Sequence, residues 1–238
     1  MLVKTAAVFG ANGVIGNAIC QKFLIEKYNV YAIGRSVSLQ NKETQGITYV
    51  NWDPLKDDTL PAAMNCRNLL AAVVWAQGSN SNDDIYDFNL KAHEAMYAAN
   101  VTYIMQSLHR LIAGEVLAES VRLCIISSVW QNIARQKKLS YCVTKSAIQG
   151  LVQSLSVDLG RIGCMVNAVL PGALDTPMTR QNLSCDQINS LRTATPLRSL
   201  PELHDVTGLV DFLCSDRNTG ITGQFIAADR GFSNARFI

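Results

Sequence analysis

The chain has 238 residues, room for one large domain, and its 48% hydrophobic and 17% charged composition suits a full core. A formal net charge of +2 offers no broad field for nucleic acid or an anionic membrane surface. Seven cysteines without a C-x-x-C pair read as reduced thiols of a cytoplasmic protein, and three histidines in no helical pair argue against a metal site.

Val3–Phe9 reads as a first strand, with no signal-peptide cleavage site near it. Gly10, Gly13 and Gly16 come next, then an amphipathic segment, Ala18–Lys27. Strand, glycine turn and helix together offer backbone N–H groups and a helix N-terminus to a pyrophosphate. A tight turn without a ligand is the other reading. Val30–Ile33 is a second strand, ending in Gly34-Arg35-Ser36, and Ile47–Asn51 a third, ending in Trp52-Asp53-Pro54. Leu69–Trp75 is wholly apolar, as a parallel strand covered on both faces would be. It falls well short of the roughly 18 apolar residues of a membrane helix. Trp75-Ala76-Gln77-Gly78 closes it, and Asp84–Ala118 reads as mostly helical, with Asn100 inside and Gly114 as a weak break.

The run VRLCIIS is the next buried strand, and Ser128 stands at its end. Thirteen residues on comes Tyr141, with Lys145 four further along. Four residues put both side chains on one helix face. The ammonium is expected to lower the phenol pKa from about 10 and fit it to exchange a proton with a substrate oxygen. The same helix places Ala147, Ile148, Leu151, Val152, Leu155 and Leu159 on an apolar stripe, and Ser146, Gly150 and Ser154 on a small-residue stripe. Cys164–Leu170 is a sixth strand leading into Pro171-Gly172-Ala173-Leu174-Asp175-Thr176-Pro177-Met178. Thr179–Leu200 reads as a lid, Glu202–Ser215 as a helix, and TGQFIAAD as the last strand. Strands alternating with helices predict an α/β fold: a single-domain, Rossmann-like, doubly wound parallel sheet spanning residues 1–238.

Tyr-x-x-x-Lys with Ser thirteen residues before it, behind an N-terminal glycine turn, resembles the short-chain dehydrogenase/reductase family. VNAVLPG followed by T-P-M resembles the family's nicotinamide segment, and the C-terminal half is most similar to 3-oxoacyl-carrier-protein reductases. The resemblance implies a catalytic set of Asn100, Ser128, Tyr141 and Lys145, with Tyr141 as proton donor, Lys145 holding the cofactor ribose, and Asn100 relaying the proton through a helix bend. It implies that Gly10, Asn12, Gly13, Val14, Ile15 and Gly16 hold the cofactor phosphates and ribose. Asp53, beside Pro54, would accept the adenine amino group, or serve only as a turn residue. Ala76, Gln77 and Gly78 would line the cofactor, and Pro171, Gly172, Leu174 and Thr176 would hold the carboxamide. Phe9 stands where the family has Thr, Val14 at a glycine position, Trp75-Ala76-Gln77 in place of Asn-Asn-Ala, and Arg230 in place of the first glycine of Asp-Gly-Gly.

An acid at the end of the second strand would select NAD(H) by accepting the ribose 2′-hydroxyl. Here Gly34 leaves room, Arg35 can grip a 2′-phosphate with its forked guanidinium, and Ser36 adds a donor. NADP(H) is therefore expected over NAD(H). The implied reaction interconverts a ketone or 3-oxoacyl group and a secondary alcohol. A non-catalytic cofactor-binding regulator and a nucleotide-sugar epimerase or dehydratase stay open. Arg135, Lys137, Lys138, Arg180, Arg192 and Arg198 border the expected mouth, which would suit an anionic substrate, small or carrier-bound, unless they are ordinary solvated charges. The resemblance implies a homodimer or homotetramer built on the long helices.

Overall fold

The computed structural model describes residues 3–35, 45–64, 69–176, 179–180 and 183–235. Seven strands, β1 (Thr5–Phe9), β2 (Asn29–Gly34), β3 (Ile47–Asn51), β4 (Leu70–Trp75), β5 (Leu117–Ile126), β6 (Met165–Pro171) and β7 (Phe225–Ala228), form one sheet in the order β3-β2-β1-β4-β5-β6-β7. Every pairing is parallel. The order reverses between β1 and β4, and a crevice opens at the carboxyl ends of strands at such a point.

Successive residues of a strand face opposite sides of the sheet. In β1, Ala7 and Phe9 pack with Leu108, Leu111, Ile148 and Val152, beneath α3 (Tyr103–Ala113) and α4 (Leu139–Asp158). Ala6 and Val8 pack with Ile19, Phe23, Val206 and Val210 beneath α1 (Val14–Ile25) and the later helix Leu203–Cys214. Both faces are covered, so the central strand β4 is wholly apolar and β1 is apolar after Thr5.

The expected elements are present, with three shifted boundaries. Helix α1 begins at Val14, four residues before the amphipathic segment, because Gly13 serves as its N-cap. Residues 84–89 are not helical: Asp84 accepts the backbone N–H groups of Tyr86 and Asp87 at 3.0 Å each, an Asx-type turn that competes with a helix. The helix starts at Leu90, where the Asn89 side chain accepts from Ala92 N, and α2 (Leu90–Tyr97) runs through a π-helical turn, Ala98–Thr102, into α3. It stops at Ala113, so Leu117–Ser120 belongs to β5. The lid segment carries α5 (Cys185–Ala194), opened by a Ser184–Gln187 capping box, and α6 (Leu203–Cys214) comes after it. Among the described residues no helix is long and apolar enough to cross a membrane.

Candidate active site

The glycine turn sits where the sheet order reverses. Gly10 N and Ala11 N both donate to Ile33 O, at 2.9 and 3.1 Å, fastening the turn onto β2. Gly10 has φ +75°, and a Cβ there would lie 2.5 Å from Gln77 N; one on Gly16 would overlap the Gly10 carbonyl oxygen. Only glycine fits at either position. Gly13 caps α1 without a side-chain hydrogen bond, so Val14, Ile15 and Gly16 begin a helix whose first N–H groups are left to an incoming anion.

Beside the turn lies a cleft of ≈ 290 Å³. Gly10, Asn12, Gly13, Arg35, Ala76, Gln77 and Gly78 line it together with Gly34, Ala99 and Tyr103, while Val14, Ile15 and Gly16 do not border it. Ala99 and Tyr103 escape sequence reasoning; the spacing of Tyr103 one turn past Asn100 is the clue that could have found it. Both polar atoms of the Gln77 side chain are shielded from water and have no hydrogen-bond partner. An orphaned donor and acceptor in the wall of this cleft suit a polyhydroxyl, phosphate-bearing ligand, so the residues fit a dinucleotide. Ser36, Pro177 and Met178 lie outside the described residues.

Asp53 is a half-buried turn residue: Leu55 N donates to its Oδ1 at 3.2 Å, and its own N–H donates to Asp57. Pro54 is buried behind it, and neither borders the cleft. The departures at Phe9 and Trp75 prove to be one feature. The two rings stack at 5.7 Å and 5°, Trp52 lies 5.6 Å from Phe9, and Tyr103 meets it edge-on at 5.9 Å. Trp75 Nε1 donates to Ser107 Oγ at 2.8 Å. Phe9, Trp52, Trp75 and Tyr103 are all buried in one hydrophobic cluster.

Ser128 caps a short turn at the end of β5, its Oγ accepting from Trp130 N at 3.3 Å, and Tyr141 stands in the first turn of α4. Burial raises the Tyr141 phenol above its ordinary range, and the Ser128 hydroxyl pulls it down without prevailing. This corrects the expectation of a lowered pKa. Lys145 does sit 5.7 Å from the Tyr141 ring centroid, but it is itself buried and donates to Ile126 O at 3.1 Å. Burial pushes its ammonium down to about 8. Asn100 is buried inside the π-helical turn. Its Oδ1 accepts from Ser79 N at 2.7 Å, and its Nδ2 donates to Ser79 O and to Thr144 Oγ1. A Cβ on Gly78 would lie 2.9 Å from Asn100 Oδ1 and 3.9 Å from Lys145 Nζ. Asn100 and Lys145 therefore share a wall with the cleft at Gly78.

Pro171 is buried, Gly172 N donates to Ala228 O at 3.2 Å, and Leu174 is buried with its carbonyl accepting from Thr179 Oγ1 at 2.6 Å. Thr176 Oγ1 lies 3.2 Å from Thr179 Oγ1 and accepts from Thr179 N, so it caps the start of the lid. None of the four borders the 290 Å³ cleft. Most of the loop cations have local partners. Arg180 and Arg192 pair with Asp175, Lys137 pairs with Asp84, Lys138 donates to Asn80 and Ser81, and Arg198 donates to Thr193 O. Arg230, the departure near the C-terminus, pairs with Asp205 and Glu202 of the α6 N-terminal turn.

The family model for enoyl-(acyl carrier protein) reductase matches residues 66–233. Among proteins of similar sequence, the uncharacterized oxidoreductase YmfI of Bacillus subtilis (strain 168) is 25% identical over 240 residues, 96% of this chain and 98% of that one. The 3-oxoacyl-(acyl-carrier-protein) reductase FabG of Rickettsia felis is 26% identical over 245 residues, covering 96% of each. Among solved structures, a gluconate 5-dehydrogenase from Burkholderia cenocepacia J2315 in complex with NADP and tartrate superposes with a TM-score of 0.89 at 18% identity, covering 99% of this chain and 97% of that one; at that identity the likeness is one of fold. The family match takes in the segment after β4, the helix of Tyr141 and Lys145, and the lid, and on it the chain belongs to the short-chain dehydrogenase/reductase family of oxidoreductases.

Proposed function

We propose that the protein is an NADPH-dependent carbonyl reductase, running in reverse as an alcohol dehydrogenase, on a ketone or 3-oxoacyl group that is free or carrier-bound. The observation that carries this reading is the shared wall at Gly78, where Asn100 and Lys145 back onto the cleft beside the glycine turn. A nicotinamide cofactor, when bound, supplies or accepts the hydride. Tyr141 gives its hydroxyl proton to the substrate oxygen, and Ser128 hydrogen-bonds the same oxygen. Lys145 holds the ribose, and Asn100 passes the proton toward solvent by way of water at its widened turn. Gly34 and Arg35 at the cleft wall favour a 2′-phosphate, which the complex of the gluconate 5-dehydrogenase with NADP parallels. The paired state of most loop cations gives an anionic substrate no special support.

Association into a homodimer or homotetramer is part of the proposal. Met105 and Ile112 on α3 and Val143 and Val157 on α4 are exposed apolar residues that a second copy could cover. The six described cysteines are free, as suits the cytoplasm. The test is NADPH oxidation against a panel of ketones and 3-oxoacyl thioesters, with cofactor titration alongside. Turnover of one substrate class supports the proposal; tight NADPH binding with no turnover across the panel would instead describe a cofactor-binding regulator.

A further inference from the structure

Three polar side chains from three parts of the chain meet one residue before Tyr141. Ser140 is 1% exposed; its backbone N–H donates to Asp83 Oδ1 and Oδ2, at 3.1 and 3.3 Å, and its hydroxyl donates to Asp83 Oδ2. An ionised carboxylate only accepts, so the single hydroxyl hydrogen is used there. The Ser140 oxygen still lies 2.8 Å from His93 Nδ1. It can only accept, which fixes the tautomer: Nδ1 carries a hydrogen and donates. His93 stands on α2 with the Phe88 and Tyr97 rings on either side, 5.6 and 6.4 Å away.

This arrangement does for α4 what its own sequence does not. The N-cap residue, Lys138, makes no side-chain capping bond. Asp83 supplies the cap from outside, with a negative charge where the helix dipole favours it. Its backbone joins in, since Leu139 N donates to Asp83 O and Asp83 N donates to Lys137 O. A few residues upstream, Ser79 brackets the Asn100 amide, and Asn80 and Ser81 accept from Lys138 Nζ at 2.7 and 3.2 Å. Residues 79–83 thus strap the turn of Asn100 to the first turn of α4. Farther along, Ile148 and Val152 hold that helix in the core, but Tyr141 rides on its end, where helices fray.

We propose that Asp83, Ser140 and His93 form a positioning relay that fixes the first turn of α4, and with it the Tyr141 hydroxyl, against the reacting oxygen. The proposal rests on Tyr141 as proton donor. A displacement of about 1 Å at a reacting group can cost on the order of a hundredfold in rate. Accordingly Ser140→Ala and His93→Ala should lower kcat by roughly ten- to a hundredfold, with KM and the NADPH Kd changed by less than about twofold. His93→Asn, which offers a side-chain N–H near the position of Nδ1, should recover most of the His93→Ala loss. Amide exchange in the first turn of α4 should quicken in His93→Ala. Unchanged kcat in both alanine variants would overturn the relay, as would parallel losses in kcat and NADPH affinity, or failure of asparagine to rescue. If Tyr141→Phe stays fully active, the proton-donor reading falls and the relay is judged by exchange alone: faster exchange at Ser140–Val143 supports it, and unchanged exchange refutes it.

Discussion

At the scale of single residues, burial governs both Tyr141 and Lys145, raising the phenol and lowering the ammonium. The spacing that puts both on one helix face is legible in the sequence, because 3.6 residues per turn fix it. The direction of the phenol shift is not, because desolvation depends on neighbours distant in the chain. With the Tyr141 phenol above its ordinary range, it stays protonated at neutral pH, so reduction should be flat there, while oxidation, which needs the phenolate, should gain with rising pH. Initial rates in both directions between pH 6 and 9 check this. For Lys145, the folded pKa of about 8 lies below the ordinary 10.5. The folded state then binds fewer protons than the unfolded between those values, and stability rises with pH across that window. The penalty is fully present below pH 8. Lys145→Met should remove this dependence and gain roughly 3 kcal/mol at pH 7, from about 1.4 kcal/mol per pKa unit, as read by urea unfolding at several pH values.

At the scale of elements, strands and glycine turns were readable because each carries a local pattern. The strap at residues 79–83 was not. Asp83 and Ser140 lie 57 residues apart, and nothing in either stretch marks them as partners. The non-helical start at residues 84–89 was hidden likewise, since Asp84 turns the chain by a side-chain bond that hydropathy does not register. Asn100 was found by position, and the π turn around it gives a physical reason for that position. The aromatic replacements at Phe9 and Trp75 looked like two separate departures and are one packed unit with Trp52 and Tyr103. Trp75→Ala should therefore cost about 3–5 kcal/mol. Because the stacked partners share a contact, the double variant with Phe9→Ala should cost less than the sum of the single ones. Denaturant midpoints of the three variants measure this directly.

At the scale of the molecule, the all-parallel sheet places β1, β2 and β4 side by side, so that residues near 10, 35 and 77 converge on one cleft although the chain scatters them. That convergence carries the expectation about cofactor choice. Gly34→Asp combined with Arg35→Ser should turn a preference for NADPH into one for NADH, by repelling the 2′-phosphate and giving the 2′-hydroxyl an acceptor. Competitive titration of both cofactors checks it, and equal wild-type affinity for the two would remove Arg35 from this role. Tyr141 does not border the cleft beside the glycine turn, so cofactor binding and proton donation should be separable. The most direct test compares wild type and Tyr141→Phe, measuring NADPH affinity by titration and NADPH oxidation with a ketone that the wild type reduces. The account predicts affinities within about twofold of each other and a loss of turnover of at least about a hundredfold in Tyr141→Phe, in the range that general acid catalysis supplies. Turnover in the variant above a tenth of the wild-type rate would contradict it.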